Sequence, residues 1–242
     1  MATMESESQQ PLQGDLRGRI LAIERAVDDG SYRPGPWHAL VHDIRNAMFF
    51  ERARVADDVS RVSRKLHLRK KRRHVPMKVG LLLEIAATSL GALVMMIGVG
   101  ARSNVLAVIG ALVWMVTLEP LLKVMAGSLL GVHYDYLYLL AIEPRLKMRY
   151  GTYLTRPRLF RVIFHLAGTI GSPLAAYVAY LILSHWLPVA AAFCLGAFWV
   201  LVAINVVNFV AALAGVHRVG PMPLSLSSAG SAALEIREGL GL

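Results

Sequence analysis

Residues 104–132 read NVLAVIGALVWMVTLEPLLKVMAGSLLGV, and the reading of this stretch decides the fold. Crossing the hydrocarbon core of a bilayer takes about 20 mostly apolar residues in a helix, and a span is expected over residues 104–125 of this run. It nevertheless carries Glu119, Pro120 and Lys123. A charged side chain at membrane depth costs roughly 2.5–3.5 kcal/mol on insertion scales, so such residues mark a candidate functional site. Glu119 precedes Lys123 by four residues, the favourable order for an ion pair on one helix face.

Working outward, three further apolar runs of spanning length occupy residues 77–101, 159–185 and 188–215. The 242 residues are 55% hydrophobic with a formal charge of +10, and the basic excess is localised. Arg61, Arg64, Lys65, Arg69, Lys70, Lys71, Arg72, Arg73 and Lys78 precede or open the first run, with no acid between Asp58 and Glu84. Arg145, Lys147, Arg149, Arg156, Arg158 and Arg161 lie between the second and third runs, whereas the other two connections hold only Arg102. Excess Lys and Arg mark cytoplasmic loops, so both termini and the middle loop are expected on the cytoplasmic side. The cluster Arg69, Lys70, Lys71, Arg72 and Arg73 reads as a contact with anionic lipids, each charge contributing about 1 kcal/mol at the surface. A nucleic-acid partner is not expected from a cluster placed beside a membrane span.

The fold class read from this pattern is an α-helical polytopic membrane protein with about four transmembrane helices. Residues 1–13 are polar and expected to be disordered. Residues 14–75 read as a cytoplasmic helical region, since Ile20, Ile23, Val27 and then Leu40, Val41, Ile44, Met48 recur at three- and four-residue steps. Residues 76–216 form the four-span domain and 217–242 a cytoplasmic C-terminal tail. Residues 1–75 contain no apolar leader core, so insertion is expected to rest on the internal spans. Cys194, the one cysteine, excludes an internal disulfide and a CxxC site. His38 and His42 share a helix face and would need a third ligand, Asp43 being the nearest acid, to hold a metal; the alternative is a plain surface helix.

Between the second and third spans, Tyr134, Tyr136 and Tyr138 alternate, and Met148, Tyr150 and Thr152 alternate against Arg149, Gly151 and Tyr153. Period-two alternation of this kind predicts a short membrane-associated β-hairpin with Glu143-Pro144 in its connection; an irregular amphipathic segment is the alternative. Open sheet edges are not tolerated in bare lipid, so the hairpin must lie in the interface or under protein. Tyr134, Tyr136, Tyr138, Tyr150 and Tyr153 are therefore the candidates for adding an extended partner segment to the sheet.

The segment EPLLKVMAGSLLGV at 119–132 resembles the first core helix of the site-2 protease family of intramembrane zinc metalloproteases. EPRLKMRYGTYLTRP at 143–157 resembles that family's membrane-associated β-hairpin with its G-x-Y element, and FHLAGTIGSPLAAYVAYLIL at 164–183 its following helix. A last helix carrying Asn205 and Asn208 completes the order, so the likeness covers about residues 104–220. The resemblance implies a zinc site near the cytoplasmic face, built from HExxH and a distant aspartate. Those residues are not matched. Glu119, Pro120 and Lys123 stand at the first histidine, the glutamate and the second histidine. A one-residue shift restores the glutamate as Glu119 but puts Leu118 and Leu122 at the ligand positions. No aspartate follows Asp135. Zinc catalysis needs three protein ligands with one open position, and a lysine ammonium has no lone pair to give. No metal or other cofactor is expected, and the expectation is a self-neutralising Glu119–Lys123 pair in place of a metal.

Other polar residues at depth are Glu84, expected to snorkel toward the basic cluster, and His165, expected either to bond across helices or to share a polar cavity with Glu119, His133 and Asp135. His133-Tyr134-Asp135 could offer a proton relay or a metal pair, and Asn205 and Asn208 suit interhelical hydrogen bonds. Three functions follow. The first is a non-catalytic relative of intramembrane proteases that binds a membrane protein or lipid-linked partner. The second is a membrane-embedded metal-dependent hydrolase with a rewired site. The third is a small transporter or channel subunit, which with four spans would need to oligomerise.

Overall fold

The computed structural model describes residues 16–70, 73–140, 143–216, 218–219 and 222–241. The expected tail at 1–13, and Lys71 and Arg72 of the basic cluster, lie outside the described residues. In chain order the elements are α1 (Leu16–Asp28), α2 (Pro34–Asn46), α3 (Phe49–Leu68), β1 (His74–Pro76), α4 (Met77–Gly100), α5 (Asn104–Leu129), β2 (Tyr134–Leu140), β3 (Glu143–Met148), α6 (Tyr150–Leu154), α7 (Arg158–Leu183), α8 (Pro188–Leu213), β4 (Arg218–Val219), β5 (Met222–Pro223) and α9 (Ser228–Leu240). These elements form two compact units, one of α1, α2, α3 and α6, the other of the remaining helices and strands.

The first unit is helical, as the periodicity predicts. Ile20, Ile23 and Val27 of α1, Leu40, Val41 and Ile44 of α2, and Val55, Val59 and Val62 of α3 are all buried. Arg61 grips Glu24 with two bonds of 2.9 Å, and Lys65 adds bonds to Glu24 at 2.9 Å and Asp28 at 2.8 Å. The hydrogen bonds from Arg61, reinforced by Lys65, hold the Glu24 carboxyl down at about 2. His38 and His42 are exposed on α2, and Asp43 is engaged by Arg19 at 2.7 Å rather than offered to a metal.

This unit also contains α6, where a second strand was expected. Tyr150, Tyr153 and Leu154 are spaced three and four apart, a spacing that suits a helical turn as well as alternation suits a strand. Gly151 decides between them. It lies flush on α3, where an added Cβ would strike the Ala56 carbonyl, and its N–H donates to Ser60 Oγ at 2.9 Å. Tyr153 is buried and stacks with Tyr150 at 5.8 Å between ring centroids, and Arg45 donates to Tyr150 Oη at 3.1 Å. Tyr150 and Tyr153 therefore do not belong to a hairpin.

In the second unit α4, α5, α7 and α8 are four helices long and apolar enough to cross a membrane. Helix α5 packs on α4, α7 and α8, which makes it the centre of the bundle. A cluster of small side chains, Ala107, Ala111, Ala175, Ala176, Ala179, Ala190 and Ala191 with Cys194, closes the seams between these helices. Close approach through small residues is how helices associate where lipid removes any hydrophobic gain.

The hairpin exists, but displaced and enlarged. The sheet is antiparallel in the order β1-β2-β3, with Tyr136 opposite Lys147 and Tyr138 opposite Arg145. Glu143-Pro144 opens β3 instead of forming the turn, and β1 adds a third strand through Pro76 opposite Tyr136. Tyr134, Tyr136 and Tyr138 thus sit on the central strand, already paired on both edges; the open edges belong to β1 and β3.

The stretch expected as a C-terminal tail is also different. Helix α9 packs on both α7 and α8, and Ala229, Ala232 and Ala233 are buried. Ser228 and Glu235, seven residues apart and so on one helix face, are buried with them.

Candidate functional site

Two proline-bearing helices meet at the site. Pro120 lies inside α5 and Pro173 inside α7. An internal proline lacks the N–H that would bond the carbonyl four residues earlier, so that carbonyl needs another donor. For Pro173 the freed carbonyl is that of Thr169, and Asn205 of α8 donates to it from Nδ2 at 3.0 Å. Asn205 is accordingly a repair for the helix, while Asn208 is half-buried further along α8.

Glu119 and Lys123 face α7 where Gly168 and Gly171 leave room. A Cβ on Gly171 would come within 2.5 Å of Glu119 Cα, and one on Gly168 within 2.9 Å of both Lys123 Cε and Ser228 Oγ. The expected ion pair is bridged by a third helix. Lys123 Nζ donates to Ser228 Oγ at 2.7 Å, and Ser228 Oγ donates to Glu119 Oε1 at 2.8 Å. Ser228 is the first residue of α9, so the Glu119 carboxylate also lies at the positive end of that helix dipole. Ser172 Oγ donates to the Met115 carbonyl at 2.7 Å and lies 3.4 Å from Glu119 Oε2. On the other side Lys123 Nζ stands 6.0 Å from the Phe164 ring centroid, within cation–π reach.

Tyr134 joins this group from the sheet. Its hydroxyl donates to the Lys123 carbonyl at 2.6 Å and rests against Gly127, where an added Cβ would collide with it. Burial pushes the Tyr134 phenol well above its ordinary value, so it remains a donor throughout the physiological range. The rest of the sequence-derived set is dispersed. His165 is buried on α7, its ring 5.0 Å from that of Phe164. His133 is exposed beyond the end of α5, Asp135 is half-buried in β2, and Tyr136 packs against the His74 ring at 4.9 Å. The groups that meet the Glu119 carboxylate are Ser228 and Ser172. Arg69, Lys70 and Arg73 are exposed, with the Arg69 guanidinium 5.9 Å from the Tyr32 ring centroid.

The donor set does not suit zinc. One candidate ligand position is an ammonium, and the neighbouring carboxylate is held by the Ser228 hydroxyl. Among the described residues no three His, Cys, Asp or Glu side chains converge as a metal would require. The arrangement is that of a polar tie between α5, α7 and α9.

The second anchor of α9 was not recognised in the sequence. Arg161 Nε donates to Glu235 Oε2 at 2.9 Å with both side chains almost fully enclosed, 1% and 2% exposed. Arg161 Nη1 also donates to the Arg156 carbonyl at 3.1 Å. The available signal was the two-turn spacing of Ser228 and Glu235 along a stripe of alanines.

Glu84 does not snorkel. It is 7% exposed on α4, and its Oε2 meets no donor among the described residues. An unpaired carboxylate there is unfavourable, so Glu84→Gln is expected to leave thermal stability in detergent unchanged or higher. A fall of several degrees would show that the carboxylate has a partner of its own.

Searches against protein-family models, curated proteins and solved structures found no match for this chain.

Proposed function

We propose that this chain is a non-catalytic, site-2-protease-like membrane protein that binds another membrane protein or a lipid-linked partner. The observation that carries the reading is the Lys123–Ser228–Glu119 chain, which ties up with serine and lysine the positions where the resembled family holds its zinc. A site built this way has no open coordination position and no activated water. What it gains is a fixed helical platform beside a small sheet. The partner is taken up at the outer edge of β3, because β2 is paired on both sides. Pro144 interrupts the N–H row there, and Arg145 and Lys147 bring positive charge. Such an edge discourages pairing with a second copy and favours an acidic extended segment.

The test is a photo-crosslinking amino acid at Leu146, introduced into the full-length chain in its own membrane. Adducts with a specific membrane protein or lipid-linked molecule, lost when Arg145 and Lys147 are replaced by Glu, are the expected result. Labelling of bulk lipid alone, or adducts indifferent to the charge reversal, would rule out this edge as the binding surface.

A further inference from the structure

The first helical unit carries a feature that its packing does not use. Met48, Phe49 and Phe50 are consecutive and 66%, 63% and 55% exposed, at the start of α3. Three adjacent large apolar side chains on a water-facing tip are strongly disfavoured unless something covers them. Their backbone is held in place: the Met48 N–H donates to Glu51 Oε2 at 3.3 Å, closing the first turn of α3. The apolar triplet is therefore presented by a defined helix end.

Basic residues flank the tip: the half-buried Arg45, which donates to Tyr150 Oη, precedes it, and after Glu51 come the half-buried Arg52 and the exposed Arg54 on α3. Covalent connectivity identifies what is close by. Arg52 Nη1 donates to the Leu154 carbonyl at 3.1 Å. Leu154 is four residues before Arg158, the first residue of the membrane-length helix α7. Four residues reach at most about 14 Å. The unit bearing Phe49 and Phe50 is thus joined to a membrane-length helix by the short linker 155–157. Apolar side chains flanked by arginines suit the boundary between acyl chains and anionic headgroups, where the rings enter and the guanidinium groups stay with phosphate.

We infer that Met48, Phe49 and Phe50 form a wedge that inserts into the interfacial layer of the membrane beside the spans, with anionic phospholipid as its preferred surface. This contact is separate from the Arg69–Arg73 cluster. It works by burying apolar rings, and the basic cluster by charge alone.

The one native cysteine makes a direct test practical. In a Cys194→Ala background, Phe49→Cys is labelled with an environment-sensitive fluorophore, and Asp29→Cys, in the exposed turn just after α1, serves as the aqueous control. Both full-length proteins are placed in lipid nanodiscs with and without anionic phospholipid, keeping only preparations that remain monodisperse; Phe50→Cys substitutes if the first variant does not. The expected result is blue-shifted emission at residue 49, quenched by lipids spin-labelled near the headgroup, with the probe at residue 29 unaffected. Water-like emission at both positions overturns the inference. A blue shift at residue 49 that resists lipid quenching and grows with protein concentration also overturns it, and assigns the patch to a second copy of the chain.

Discussion

Arg161→Ala is expected to destabilise the protein by about 3–5 kcal/mol, leaving little or no monodisperse material after detergent extraction. The reason is the surroundings of the partner left behind. Glu235 is 2% exposed and its carboxylate is held by Arg161 at 2.9 Å, so truncating the arginine takes the ion-pair partner from a buried charge. Removing both charges is a different experiment. Replacing a buried ion pair by apolar groups of similar volume is often neutral or stabilising, so Arg161→Met/Glu235→Leu should recover most of the loss. Thermal unfolding of the two variants in the same detergent separates these cases. If Arg161→Ala melts with the parent protein, or the double variant is worse than the single one, the pair is not what fixes α9 to α7.

Lys123→Ala should cost about 1.5–3 kcal/mol, the usual scale for losing a hydrogen bond to a charged group. It takes the ammonium from a chain in which Ser228 passes a proton-donating bond on to Glu119. Glu119→Gln/Lys123→Met together should cost less than Lys123→Ala alone, because no charge then remains without its counterpart at depth. Ser228→Ala offers a further check, since it breaks both links while leaving both charges in place. Equal losses for the single and double variants would count against a self-neutralising pair. Additivity cannot be assumed between groups sharing a network, so the cycle itself is the quantity to measure.

The spans were legible in the sequence because length and apolarity are sufficient signals for a helix in lipid. The first unit was legible for a related reason: Ile20, Ile23 and Val27 recur at helical steps, and all three are buried. The hairpin was half legible. Alternation along Tyr134–Tyr138 gave a strand, but the same tyrosine pattern at residues 150–153 became a helical turn once Gly151 could press against Ala56 of α3. That contact lies far away in sequence, and local periodicity carries no record of it. The spacing of Glu119 and Lys123 puts both on one helix face, which meets Ser228 of α9, and that spacing could not reveal Ser228 in a segment that reads as a tail. Helix α9 is poor in large apolar residues, since it packs through alanine, glycine and serine, and hydrophobicity patterns register such a helix weakly. Arg161 was read as one more topogenic charge. Its burial against Glu235 depends on α9 and has no signature near residue 161.

Under the proposed function, the Glu119–Ser228–Lys123 tie stands where a metal would otherwise be held. The most direct test is the metal content of detergent-purified full-length protein, washed without chelator and measured by mass spectrometry alongside its thermal unfolding. The account predicts folded protein without stoichiometric metal, with a melting temperature indifferent to added zinc or chelator. Zinc at one per chain, removed by chelator with loss of folding, would contradict it and turn attention to a hydrolytic site.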